Sequence, residues 1–152
     1  MLGRIALAGG LLAYSALALG SGLDRASAGS ADLAARIPGF FASEALRVRG
    51  ADALDHGQAQ AALALGKAAI GDAPTDPQSP ALLGAGRLAS GDRGGADRAF
   101  RVAGKLGWRV PVTQTYWMNQ ALGAGDYRIA AMRLDALLRQ QPALHRQRSL
   151  ID

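Results

Sequence analysis

The chain contains no cysteine, only two histidines and few aromatic side chains. Each scarcity excludes something. Without cysteine there is no disulfide framework, zinc ribbon, thiol nucleophile or lipid-modified cysteine. Aromatic residues make up 5% of the chain against 49% for apolar residues as a whole, so a core must be built from Ala and Leu. Such a core suits helices packed closely through small side chains better than a β-sandwich, which draws on β-branched and aromatic residues. The histidines are His56 and His145. His56 ends the run Asp52-x-x-Asp55-His56 beside a glycine, where an imidazole complements the C-terminal end of a helix dipole. His145 lies in a basic stretch, His145-Arg146-Gln147-Arg148. Neither reads as a metal ligand or an acid–base pair. Gly84-Ala85-Gly86 and Gly91-Asp92-Arg93-Gly94-Gly95 lack the spacing of phosphate-binding loops, and there is no G-x-S-x-G or H-E-x-x-H. The expectation is a non-enzyme with no catalytic residues, no cofactor and no metal.

Lysine is also scarce: Lys67 and Lys105 are the only two, so the positive charge is nearly all arginine. The net charge is +5, but the arginines alternate with acids, as in Asp92-Arg93 and Asp97-Arg98. Dispersed charge builds solvated helix faces rather than a groove-sized patch, so a nucleic-acid partner is not expected.

The 152 residues fit one compact domain plus an appendage. The appendage is N-terminal, residues 1–23. Arg4 is followed by 19 uncharged residues, Ile5 to Leu23, the most apolar part ending at Leu19. A basic start before an apolar run directs a chain to the secretion machinery. As a signal anchor the run just spans a bilayer core. As a signal peptide it has an A-x-A site at Ala26-Ser27-Ala28. A buried soluble helix is a third reading. Either export reading places the rest of the chain outside the cytoplasm: anchored in an inner membrane and facing the periplasm, or free in the periplasm after cleavage.

The rest of the chain repeats. Gly57, Gly91 and Gly125 lie 34 residues apart, as do Leu54, Leu88 and Leu122, and Ala62, Ala96 and Ala130. Leu-x-x-Gly therefore recurs three times in one register. In the last segment Ile129, Met132, Leu134, Leu137 and Leu138 recur at threes and fours, a helical period. Helices are expected over 43–56, 59–70, 79–90, 94–105, 112–123 and 127–140. A short lead-in helix is expected after Ser30, stopped by Ile37 before Pro38.

A period of 34 is that of the tetratricopeptide repeat, a helix–turn–helix unit. From about Ser43 to Gln141 the chain resembles that family. Gly50 and Gly84 stand at its small position in the first helix, with Met118 a departure. Gly57, Gly91 and Gly125 stand at its turn, and Ala62, Ala96 and Ala130 at its small position early in the second helix. Phe100 and Leu134 stand at the large position four residues on, where Gly66 departs. Pro74 and Pro142 close two repeats, with Trp108 in the middle one. The large residue early in the first helix is Leu46, but Pro80 and Gln114 in the other repeats. The mid-helix aromatic is replaced by Ala53, Arg87 and Ala121. The resemblance implies an all-α right-handed superhelix of antiparallel hairpins with about three repeats, 43–76, 77–110 and 111–142, behind an N-terminal apolar helix. Residues 24–42 form a linker and 143–152 a basic tail. Phe40 and Phe41 are expected to cover the open end of repeat one, and Leu150 and Ile151 the last helix pair.

In that family the first helices line a concave groove. The register places Glu44, Arg47, Asp55, Gln78, Thr115 and Asn119 along it, with Leu54, Leu88 and Leu122 beneath. Tyr116 and Trp117 either fill the interface between repeats two and three or anchor a partner, as Trp and Tyr do at binding hot spots. The function implied is a scaffold for a protein or peptide partner, perched on the extracytoplasmic side of a bacterial-type membrane, in a secretion or polysaccharide assembly. A self-associating, chaperone-like repeat protein is the second reading. A third is an anionic partner held by Arg98, Arg101, Lys105 and Arg109.

Overall fold

Periodic apolar runs, separated by glycines and capping aspartates, fold as helices. In the computed structural model, which describes residues 2–38 and 42–140, there are eight α-helices and no strand among the described residues. They are α1 (Leu2–Ala26), α2 (Ala31–Ala34), α3 (Ser43–Asp55), α4 (Ala59–Asp72), α5 (Gln78–Ala89), α6 (Arg93–Leu106), α7 (Pro111–Gly123) and α8 (Tyr127–Gln140). Six of them pair as hairpins, α3 with α4, α5 with α6 and α7 with α8, and α4 also packs along α5. The first helices α3, α5 and α7 lie side by side. The expected roles of Phe40, Phe41, Leu150 and Ile151, the closing Pro142 and His145 lie outside the described residues.

The Leu-x-x-Gly column is a turn. Gly57, Gly91 and Gly125 have φ of 71°, 85° and 74°, the left-handed region where a side chain is strained. In each turn the glycine N–H donates to the leucine carbonyl three residues back: Gly57 to Leu54, Gly91 to Leu88 and Gly125 to Leu122, at 3.0–3.1 Å. The next N–H donates five residues back: Gln58 to Ala53, Asp92 to Arg87 and Asp126 to Ala121, at 2.7–2.9 Å. This pair of bonds is the Schellman motif, which satisfies the last carbonyls of a helix. Asp92 and Asp126 then cap the following helix, accepting from Gly95 N at 2.8 Å and Ile129 N at 3.0 Å. Gln58 holds the equivalent place before α4, but its side chain makes no cap bond.

The core is mostly alanine. One cluster joins Ala34, Ile37, Ala42, Ala45, Leu46 and Ala69. A second joins Ala81, Ala96, Phe100, Ala103, Val110 and Tyr116. Small residues let the backbones touch. A Cβ at Gly66 would lie 2.9 Å from the Leu83 backbone, and one at Gly86 would lie 3.1 Å from Leu63 N, so α4 and α5 meet glycine against backbone from both sides. Gly84 receives the Phe100 ring, 3.0 Å from where its Cβ would be, and Gly50 receives the Leu82 side chain. Ala62, Ala96 and Ala130 are buried, whereas Leu134, at the register position of Phe100, is 46% exposed.

The lead-in residues form part of this packing. Ser30 caps α2, accepting from Leu33 N. Asp24, at the end of α1, is buried. It receives Ser43 Oγ at 3.2 Å, Glu44 N at 3.1 Å and Ala45 N at 2.9 Å. A carboxylate from about twenty residues away thus caps α3, whose own flanking residue Ala42 offers no side-chain acceptor. Along α1, Leu7, Leu11, Leu12, Tyr14 and Leu19 are exposed. Among the described residues no helix is long and apolar enough to cross a membrane. Glycines and serines (Gly9, Gly10, Ser15, Gly20, Ser21, Gly22) dilute the leucines of α1.

Candidate interaction groove

Three hollows join end to end along the first helices. The first lies between α3, α5 and the start of α7, over Leu54, Leu82, Ala85 and Val112, with Arg47 and Gln78 at its rim. The second shares Ala85 and Val112 and continues over Leu88, Phe100 and Tyr116, rimmed by Thr115 and Asn119. The third shares Leu88 and Tyr116 and ends at Arg93 and Asp97. The result is one groove with an apolar floor and mainly uncharged polar edges.

Of the residues that the register places on this groove, Arg47, Gln78, Thr115 and Asn119 line it, and Tyr116 lines it with them. Of the three leucines, Leu54 and Leu88 lie on the groove floor and Leu122 lines none of the hollows. Leu54 is half-buried, while Leu88 and Leu122 are 44% and 47% exposed, and Leu54 and Leu88 form part of the groove surface. The register marks them because their carbonyls take the turn bonds, a role indifferent to side-chain burial. Glu44 does not face the groove hollows. It forms an ion pair with Arg47, which also pairs with Asp76 of the α4–α5 link, so Arg47 is held in a structural network. Asp55 is exposed at the last turn of α3 and lines none of the hollows.

Tyr116 and Trp117 part company because successive helical residues point about 100° apart. The Tyr116 ring stacks on Phe100 with centroids 4.2 Å apart, filling the junction between the second and third hairpins. Burial first, and then Asp97, whose carboxylate is 3.5 Å from the hydroxyl, push the Tyr116 phenol above its ordinary value. Trp117 meets the Tyr116 ring edge to face at 5.1 Å and lies under the Arg101 guanidinium at 5.9 Å. It lines a different cleft with Trp108, between α6, α7 and α8.

Sequence reasoning missed that cleft's keystone. Gln114, noted only as a departure from the repeat pattern, is fully buried. Its amide nitrogen donates to the Trp108 carbonyl, and its oxygen accepts from Arg133 Nη1 at 3.0 Å. A glutamine where the repeat wants a large apolar residue was the available signal.

His56 is exposed. Its Nδ1 lies 2.8 Å from the Asp52 carbonyl oxygen, and that bond, then the Asp52 charge, raises its pKa above the ordinary value. This is an imidazole at a helix end with a satisfied partner. Among the described residues no group of three or more metal-binding side chains comes together. The chain matches no protein-family model, no curated protein and no solved structure.

Proposed function

We propose that the chain is a non-catalytic interaction scaffold whose three hairpins stack as a right-handed, tetratricopeptide-like superhelix. Its groove binds a helical or extended segment of another protein through apolar side chains. The observation that carries this reading is the continuity of the groove: one apolar floor runs across α3, α5 and α7, from Leu54 through Leu82 and Ala85 to Leu88 and Tyr116. Exposed leucines on such a floor contribute about 25 cal/mol per Å² of apolar surface that a partner covers. Gln78, Thr115 and Asn119 on the rim supply hydrogen bonds along a peptide backbone.

In this proposal α1 directs the domain to the extracytoplasmic face of a bacterial-type membrane. Support comes from Arg4 ahead of an uncharged run and from the exposed leucines of α1, which make no use of the folded domain before Asp24. The buried cap made by Asp24 favours retention of the segment at least that far. The test is photocrosslinking from Thr115 in the native envelope, with wild type and Leu88→Asp compared. A charge on the groove floor should cut the crosslinked partner at least tenfold. Equal recovery from both proteins would remove the groove as the binding site.

A second reading, self-association, is favoured by α8, where Tyr127, Met132 and Leu134 are exposed and Ala130 is buried.

A further inference from the structure

The cleft between α6, α7 and α8 consists of two adjoining cavities of about 350 and 400 Å³ that share Trp108, Gln114 and Arg133. Arg101 and Lys105 of α6 line the first, and Arg128 of α8 lines the second. Among the described residues no acid lines either cavity. Arg101 is neutralised by Asp97 at 2.7 Å. Lys105, Arg128 and Arg133 form no ion pair among the described residues, so three cations converge on the cleft without a counter-charge. The buried Gln114 side chain holds the Arg133 guanidinium through a part-buried hydrogen bond of 3.0 Å, so this donor is positioned before any ligand arrives.

From this arrangement we infer that the α6–α7–α8 cleft is a binding site for a small organic oxyanion, a phosphate or carboxylate group carried on a flat ring-sized body. The charged group meets Lys105 and Arg133, which give charge-assisted hydrogen bonds. The ring lies against Trp108, whose indole is 55% exposed at the junction of the two cavities. A larger polyanion is disfavoured, because the cations converge on cavities of this size and the remaining arginines are dispersed among acids. The cleft shares no lining residue with the groove hollows.

Trp108 and Trp117 are the only tryptophans in the chain, so intrinsic indole fluorescence reports this cleft alone. The full chain, held in non-ionic detergent, is titrated with phenyl phosphate, benzoate and uncharged benzyl alcohol. A saturable fluorescence change with phenyl phosphate or benzoate is expected, and the tighter of the two identifies whether phosphate or carboxylate is the preferred head group. High salt should weaken it. Lys105→Gln, an exposed change that leaves thermal melting unaltered, should weaken binding roughly tenfold, the loss of one hydrogen bond between charged groups. The inference is overturned if neither anion gives saturation, if benzyl alcohol binds as well as the anions, or if Lys105→Gln binds like wild type.

Discussion

A methyl group added at Gly66 would lie 2.9 Å from the backbone of Leu83, an atom that cannot swing aside. Gly66→Ala must therefore push α4 away from α5, and overpacking of this kind costs about 1–3 kcal/mol. Gly71, five residues further along the same helix, has nothing within 4 Å of a Cβ. Gly71→Ala gains helix propensity and should stabilise by up to about 1 kcal/mol. Urea denaturation of the two variants should shift the midpoint in opposite directions. Much of the residue scale was legible: the 34-residue columns marked Gly57, Gly91 and Gly125, which take up positive φ, and Gly84, which receives Phe100. Gly66 was not. The register asks for a large residue there, and only the three-dimensional crossing reveals that the Leu83 backbone occupies the space instead.

The helices themselves were readable to within two or three residues at each end, because their ends carry chemical marks. Glycine closes α3, α5 and α7, and Asp92 and Asp126 open α6 and α8. The start of α3 carries no such mark. Its cap is Asp24, and a rule that looks for a capping side chain beside the helix cannot find one about twenty residues upstream. Three donors on one buried carboxylate make this cap stronger than a surface one. Asp24→Ala should lower stability by about 1–2 kcal/mol, read as a fall in melting temperature of several degrees. A chain that begins at Gly29 should show the same loss, and one that begins at Leu23 should not. Cleavage after Ala28 would remove this cap, and Ser27 of that Ala-Ser-Ala site is itself fully buried, donating to the Asp24 carbonyl. If the shorter chain melts with the longer one, Asp24 contributes nothing and the leader is dispensable to the fold.

Across the whole molecule, equivalent positions differ because the stack has ends. Phe100 and Leu134 share one register position, 34 residues apart. Phe100 is 1% exposed, held between Gly84 behind it and the Tyr116 ring of the next hairpin. Leu134 belongs to the last hairpin and has no hairpin beyond it among the described residues. Periodicity in the sequence is blind to this distinction, which is why the two residues looked alike there. The same end effect leaves Tyr127 and Met132 exposed on α8. Truncating Phe100 to Ala should therefore cost about 3–5 kcal/mol through lost burial and a cavity. Leu134→Ala, at a position already half in water, should cost under about 1 kcal/mol. Chemical denaturation at low protein concentration measures both. A repeat of the Leu134→Ala experiment at high concentration separates the remaining alternatives. A cost that stays small means that the α8 face is plain surface, and one that grows with concentration means that a second copy stacks there, supplying for Leu134 what α7 supplies for Phe100.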